Sequence, residues 1–516
     1  MPPRKAAVAA KAKISRKWSA EETANPPSKK AKYTAKSAKK EKQKTARETA
    51  SRSAAAKPVV INTAPTARLD IFVFGDGSAG ELGLGPKNAI NVKTPRLNVN
   101  LHAETVGVVD IAAGGMHTVA LTHDDKVLTW GISDNCALGR DTTWEGGMKD
   151  IDNDSTASED SDLELNPRES TPAAVPVDKF PAGTKFVRVA AGDSSTFALT
   201  EDGSVYGWGT FLNNEGKDGF SLKPDTNEVI NTQSDPLLIP NLKRIVDISA
   251  GNNFCLALSS DASVYSWGRN EQNQLGRRIL VDRRCTARTQ KEDPDIEQLR
   301  SNAALLPGLV PLPLGKRKKI VSIHAGGYHA FAIDSDGDTW AWGLNNFGQT
   351  GIPVGAGNSS STIVTPQKVP SLAGKKMKML QGGNHHSIGV TQTGECLVWG
   401  RMDGAQMGID INQLPLDDPR KVISERGWPR ILLEPTALAI ADCVYATAGS
   451  DHNILVTRDG KAYSWGFNES YQCGQGSEDE EIRVATLIDA SAVREKKLCW
   501  AGAGGQYSML AAPHEG

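Results

Sequence analysis

The sequence predicts an all-β fold, a seven-bladed β-propeller closed by pairing N- and C-terminal strands in one blade, with a disordered basic N-terminal tail. Three observations carry this reading. One phrase recurs six times between residues 111 and 466: a small-residue doublet ending in Gly, an apolar strand, a turn, then Trp-Gly. A seventh copy is divided between the two ends of the chain. The first 57 residues hold 17 Lys/Arg against 4 Asp/Glu, which leaves a net −14 for the remainder of a chain whose total is −1. A fixed-period phrase of this length is the signature of a repeat architecture.

The six complete copies occupy 111–131, 189–209, 248–268, 323–343, 380–400 and 446–466. Each reads locally as a hairpin: in the second, Phe197 and Leu199 alternate with smaller residues, Asp202-Gly203 makes the turn, and Val205, Tyr206 and Trp208 resume the strand. Gly114, Gly192, Gly251, Gly326, Gly382, Gly449 and Gly504 close the doublets at intervals of 55 to 78 residues, room for a four-stranded blade with loops of varying length. The split copy takes AGAGGQYSMLAAP at 501–513 and IFVFGDGSAGELGLG at 71–85, with Phe74 in the Trp position. Pairing strands from both ends in one blade closes the ring and removes its open edges. A side chain that recurs once per repeat serves packing, so Trp130, Trp208, Trp267, Trp342, Trp399 and Trp465 are expected in the core. The predicted boundary places the tail at 1–66 and the propeller at 67–516.

Composition narrows the setting. At 39% hydrophobic and 23% charged, a 516-residue chain is globular but longer than one ordinary core supports, as a repeat architecture allows. The seven cysteines stand singly, without a Cys-x-x-Cys pair, which fits reduced thiols in a nuclear or cytosolic protein. No apolar run of membrane-spanning length is present, and the basic N-terminus lacks the apolar stretch of a secretory signal, so no membrane partner is expected. A basic arm on an acidic body implies two partners, a polyanion for the first and a basic protein for the second.

The Ala-Gly-Gly-x-His opening, the closing Trp-Gly-x-Asn and the Leu-Gly a few residues later resemble the repeat of the regulator of chromosome condensation family, and the resemblance spans 69–513. Other proteins use the same repeat, so fold alone leaves function open. Two features narrow it: the propeller takes up nearly all of the chain beyond the tail, and 113–147 is similar to the family's nucleotide-exchange members beyond the repeat pattern. The resemblance implies a nuclear, chromatin-associated guanine nucleotide exchange factor for the small GTPase Ran, supporting nucleocytoplasmic transport and spindle assembly. The alternative is a propeller adaptor that binds nucleosomes and catalyses nothing.

Residue by residue, the resemblance implies the following. The second copy departs after its Trp-Gly into TFLNNEGKDGFSL at 210–222. In the family this position is a wedge that enters the GTPase near its phosphate-binding loop, and the role falls on Asn213, Asn214, Glu215, Gly216, Lys217 and Asp218; a solvated loop is the plainer reading. Asp193 and Asn253 are expected beside it, Asn253 standing where the family carries an Asp. His117, His329, His385, His452 and Tyr507 follow the doublets and are placed at the channel mouth as GTPase contacts, with hydrogen bonding between blades as the alternative. For chromatin, Arg4, Lys5, Lys29, Lys30 and Lys32 of the tail suit DNA phosphates and nuclear import receptors. Arg283 and Arg284, in an insertion after Gly276, suit the acidic patch of histones. Met1-Pro2-Pro3-Arg4 resembles the family's N-terminal methylation signal, which puts a modification on Pro2.

Three chemistries are not expected. Ligands around a channel cannot converge to the roughly 2.0–2.1 Å that zinc requires of histidine nitrogen, so no metal site is expected. No nucleophile elbow appears. GPKNAIN after Gly85 lacks the Lys-Ser/Thr ending of a phosphate-binding loop, so neither nucleotide nor other cofactor is expected on this chain itself. The acidic stretches at 150–164 and 478–481 are expected to be solvating loops, with Ser155, Ser158 and Ser161 open to phosphorylation.

Overall fold

The computed structural model describes residues 60–88, 90–145, 164–280 and 296–516. Seven antiparallel sheets are arranged as blades, each running outward from a strand that lines a central channel. Blade 1 contains Val108–Ala113, His117–Thr122, Val127–Gly131 and Ala173–Ala174; blade 2 contains Phe186–Ala191, Ser195–Thr200, Val205–Gly209 and Gln233–Leu238. Blade 3 begins at Ile245–Gly251, blade 4 at Ile320–Ala325, blade 5 at Met377–Gly382 and blade 6 at Cys443–Ala448. Blade 5 gains a fifth strand, Val422–Glu425, which pairs with Trp428–Ala437. Blade 7 is composite: Trp500–Ala503 and Tyr507–Pro513 come from one end of the chain, Leu69–Gly75 and Val92–Leu97 from the other. Seven residue pairs, from Leu69 with Pro513 to Gly75 with Tyr507, join the two halves as predicted.

The hairpin turns form for a local reason. In blade 2 the Thr200 hydroxyl accepts the N–H of Ser204 at 2.9 Å, and Gly203 sits at φ +81°, a left-handed conformation in which a Cβ would be strained. At the other end of each inner strand the doublet glycine brings neighbouring blades together: a Cβ on Gly114 would lie 2.4 Å from the Gly192 carbonyl. That approach permits a ring of backbone bonds. Gly115 donates to Gly192, Asp193 to Asn252, Asn252 to Gly327, Gly327 to Gly383, Asn384 to Ser450, Ser450 to Gly504 and Gly505 back to Gly115, at 2.9 to 3.4 Å. Every blade is tied to the next and the circle closes, which satisfies backbone groups at a crowded channel end where water cannot reach all of them.

The core lies between blades. All six Trp rings of the repeat are buried, and five donate their indole N–H to a carbonyl in the loop of the preceding blade: Trp130 to Glu81, Trp208 to Ala137, Trp342 to Gln274, Trp399 to Gln349 and Trp465 to Gln406, at 2.9 to 3.0 Å. Trp267 is the exception, since its buried N–H has no acceptor among the described residues. The preceding loop there is the divergent 210–222 segment, which supplies Phe211 and Phe220 where the other Trp joints supply a turn ending in Gly: Leu-Gly at 82–83, 138–139 and 275–276, Thr350-Gly351 and Met407-Gly408.

The tail boundary differs from the expectation. Ile61 donates its N–H to the Glu201 carbonyl at 2.9 Å, and the Asn62 amide donates to the carbonyls of Thr200 and Ile245. Packing on the propeller therefore begins before residue 67, because a polar Asn bridges the bottoms of two blades. Among the described residues no helix is long and apolar enough to cross a membrane.

Candidate functional site

The divergent loop of blade 2 leaves strand Val205–Gly209 at the channel end that carries the backbone ring. Its tip is a tight turn. Asn213 donates its N–H to the Lys217 carbonyl at 3.1 Å, while its side-chain oxygen accepts the N–H groups of Glu215 at 2.9 Å and Lys217 at 2.8 Å. An Asn at the head of such a turn replaces missing strand partners with its own amide. Gly216, at φ +74°, has open space where a Cβ would stand. Asn214, Glu215, Gly216 and Lys217 are exposed, while Asn213 and Asp218 are partly covered. The Glu215–Lys217 ion pair at 2.6 Å holds the Glu215 carboxyl below its usual range.

The base of this turn is closely packed and hydrogen-bonded. Phe211 and Phe220 stack on each other at 5.7 Å and on Phe197 at 6.0 and 6.3 Å, and Trp267 meets Phe197 edge-on at 5.6 Å. Ser221–Leu222 pairs with Val229–Ile230 behind it. Blade 3 grips the base from outside: Asn253 accepts the Leu212 N–H at 2.7 Å, and the buried Arg269 donates to the carbonyls of Phe211 and Lys217. Asn253 stands where the family resemblance leads one to expect it, whereas no pattern in the repeat singles out Arg269. Its one mark is an Arg directly after a Trp-Gly, facing the one loop that breaks the repeat.

Beside the turn, the channel mouth carries Asp193, Asn252 and Asn384, and the Asn252 side-chain amide donates a hydrogen bond to Asn384 Oδ1 at 3.0 Å. Burial pushes the Asp193 carboxyl up to about 6. The channel behind them holds about 530 Å³ and is crossed toward its far end by the Arg188–Asp247 ion pair. Burial raises Asp110, near that pair, to about 6 as well, although the Val189 N–H and the Arg188 charge oppose the rise.

The predicted histidine ring requires correction. His117, His329, His452 and Tyr507 are at most 1% exposed and do not reach the mouth. Their rings point between blades: His117 Nε2 meets Thr196 Oγ1 at 2.8 Å, His329 meets Ser387 at 2.7 Å, His452 meets Ser508 at 2.8 Å, and the Tyr507 hydroxyl meets Thr118 at 3.0 Å. The reason is alternation along a strand. These residues open the second strand of each blade with the side chain turned to the neighbouring blade, while the residue before them faces outward. His386 does the same with Asn453 at 2.9 Å, which leaves His385 half-buried at the surface, stacked on Tyr328 and tilted against Phe347. Arg401 and Arg430 lie over the Phe347 ring at 5.6 and 5.1 Å, a cation–aromatic cluster the sequence did not disclose because it draws on blades 4 and 5 together.

Among the described residues, the metal-like cluster is Asp334, Asp336 and Asp338, and the Lys318 ammonium already spans it at 3.3, 2.9 and 2.7 Å. Pro2, Arg4, Lys5, Lys29, Lys30, Lys32, Arg283 and Arg284 lie outside the described residues.

A seven-bladed propeller closed by strands from both chain ends, with a projecting turn rooted in two blades at one end of its channel, defines the class. The RCC1-like domain pattern matches residues 70–510, and the chain belongs to that family. Protein pim1 of Schizosaccharomyces pombe is 38% identical over 87% of this chain and 75% of its own length. The guanine nucleotide exchange factor SRM1 of Saccharomyces cerevisiae is 36% identical over 86% of each. The human regulator of chromosome condensation is 30% identical over 85% of this chain and 90% of its own. Among solved structures, Prp20p of Saccharomyces cerevisiae, described together with its binding to Gsp1p and histones, superposes with a TM-score of 0.74 at 32% identity, covering 89% of this chain and 96% of that one. Yeast RCC1 (Prp20) bound to Kap60 superposes equally well, with a TM-score of 0.74 at 31% identity, covering 94% of this chain and 97% of that one.

Proposed function

We propose that this chain is a chromatin-bound guanine nucleotide exchange factor for the small GTPase Ran. The observation that carries the reading is the 213–218 turn, exposed at its tip and held at its base by hydrogen bonds from the next blade. A turn with that support can push on a partner's phosphate-binding loop without collapsing. The relatives named for exchange and for chromosome condensation match along the whole propeller, which supports the same reading.

The mechanism involves no covalent step on this chain. Asp193 and the acidic propeller attract a basic GTPase, with His385 and its neighbours on the same rim. The turn then displaces the loop that holds the nucleotide phosphates and Mg²⁺, and the nucleotide leaves. Binding free energies are reciprocal, so incoming nucleotide expels the factor by the same coupling energy, and the GTP excess of the cell sets the direction.

Chromatin contact falls to the tail, through Arg4, Lys5, Lys29, Lys30 and Lys32 on DNA and on nuclear import receptors, with Pro2 as the methylated terminus. Arg283 and Arg284 serve the histone acidic patch. The chain joins the propeller at Ile61, beside Glu201 at the bottom of blade 2, one strand length or roughly 17 Å from the end that bears the wedge. Held on chromatin in this way, the chain would form Ran-GTP in the nucleus at chromosomes.

The test is release of a fluorescent GDP analogue from Ran at catalytic amounts of this protein, with a 213–218 deletion alongside. Acceleration that disappears on deletion is expected. No acceleration by the intact chain, with nucleosome binding retained, moves the function to a non-catalytic adaptor, the reading that the basic tail alone favours.

A further inference from the structure

Arg269 follows the Trp-Gly of blade 3 and is 5% exposed. At the same place in the other complete repeats stand Ile132, Thr210, Leu344, Arg401 and Phe467. The one other arginine, Arg401, pairs with Asp403. Among the described residues Arg269 makes no close ion pair; the Glu271 and Asp218 carboxylates favour its charge from a distance, and its guanidinium hydrogen-bonds to neutral acceptors. Nε donates to the Phe211 carbonyl at 3.0 Å, Nη2 to the Lys217 carbonyl at 2.6 Å and Nη1 to Ser301 Oγ at 3.3 Å.

Burying a charge without a carboxylate in contact is expensive: burial pulls the Arg269 guanidinium down although Glu271 and Asp218 oppose it, and an apolar side chain would avoid that cost. The geometry shows what the arginine supplies instead. Phe211 is where the chain enters the wedge and Lys217 is where it leaves, so one rigid planar fork fixes the span between the two feet of the turn. Gly219 permits the approach, since a Cβ there would stand 2.8 Å from Nη2. Arg269 is itself held, its N–H bonded to the Asn253 carbonyl at 2.9 Å, and Asn253 takes the Leu212 N–H with its side chain. The third bond reaches the helix Ile296–Ala304, which closes the insertion after Gly276.

We propose that Arg269 is the positioning residue of the 213–218 turn, holding both feet of the wedge against blade 3 and linking them to the helix that ends the insertion. The proposal rests on the exchange reading above and adds to it where the stiffness of the wedge comes from.

The experiment compares full-length wild type, Arg269→Met, Arg269→Lys, Arg269→Ala and the 213–218 deletion. Catalysed nucleotide release is measured over a range of Ran concentration, and amide hydrogen exchange is measured on the free proteins. For Arg269→Met, loss of one charged hydrogen-bonding anchor is expected to lower kcat by roughly tenfold or more, with a much smaller change in KM. Arg269→Lys, which keeps the charge but cannot bridge both carbonyls, should fall between. Guanidinium ion at non-denaturing concentration should restore part of the kcat of Arg269→Ala and leave wild type unaffected, a rescue that general destabilisation would not show. Amides across 210–219 should exchange faster in the variants while the strands of blade 2 keep wild-type protection. If the deletion abolishes exchange activity but Arg269→Met retains wild-type kcat, the proposal is overturned and the exchange reading stands. If wild type itself does not act on Ran, the exchange reading falls, and unchanged amide protection across 210–219 would then overturn the anchoring role on its own. Should Arg269→Met fail to fold, the Lys variant and the guanidinium rescue decide.

Discussion

Asn253 of blade 3 accepts the backbone N–H of Leu212 in blade 2 at 2.7 Å, so the loop that departs from the repeat is held by the side chain of the neighbouring blade. The acceptor is an amide oxygen, and a carboxylate oxygen would serve the same bond. Asn253→Asp is therefore expected to keep the loop in place. Asn253→Ala orphans the Leu212 N–H, costs about 1 kcal/mol locally and should slow catalysed nucleotide release several-fold, checked by stopped-flow fluorescence beside a thermal melt. Wild-type release by the Ala variant would show that the bond does not support the wedge.

The indole N–H groups separate two kinds of joint. Trp208 donates to Ala137, whose carbonyl also accepts the Thr196 hydroxyl, while Trp267 finds no acceptor among the described residues. Both rings are fully buried, so replacement by Phe removes similar volume from each. Trp208→Phe should cost about 1 kcal/mol more than Trp267→Phe in urea unfolding, the difference being one buried hydrogen bond. Equal costs would mean that the indole bonds add no net stability.

Acidification should unfold the propeller partly through its histidines. Burial lowers His452 to about 3 and His117 to about 4 from an ordinary 6.5. The folded state therefore refuses a proton that the unfolded chain takes up, and stability present above the unfolded value is lost as pH falls from about 6.5 toward the folded value. His452→Gln can keep a bond to Ser508 without titrating, so its stability loss between pH 7 and pH 5 should be smaller than that of wild type by about 2 kcal/mol. Parallel losses, measured from denaturant midpoints at the two pH values, would contradict a neutral buried His452.

Glu81 titrates in the opposite sense. Complete loops place a glutamine here, as Gln349 and Gln406 do, with the side-chain oxygen accepting a backbone N–H two residues earlier; Glu81 accepts the Ala79 N–H in the same manner at 3.0 Å. Burial, with some repulsion from Asp76, pushes its carboxyl up to about 7 from 4.5. The folded chain thus favours the protonated form, and stability present below pH 4.5 is lost as pH rises through 7. Glu81→Gln should leave stability unchanged near pH 4 and raise it by about 3 kcal/mol at pH 8, read from urea unfolding of the composite blade's tryptophan and global signals. A variant no more stable than wild type at pH 8 would sink this expectation.

Much of this molecule can be read one strand at a time. A doublet, an apolar strand, a Gly turn and a Trp-Gly are local patterns, so blade count, the split seventh blade and the buried tryptophans were all predictable from 69–513, as was the loop that breaks the pattern at 210–222. The direction of a side chain at a blade boundary is not local. His117 and Asp193 stand at nearby places in successive repeats, yet one turns into the joint and the other stays at the mouth, because closing the ring decides which face of each strand meets a neighbour. The partners of Arg269 are likewise 52 and 58 residues away in sequence, and the cluster around Phe347 draws arginines from the next blade. The sequence by itself determined the repeat and therefore the propeller, since hydrophobic periodicity and turn chemistry act within a few residues. The tertiary structure alone decided which polar groups are buried between blades and which stand free to meet a partner, since that depends on contacts made only when seven blades close on one another.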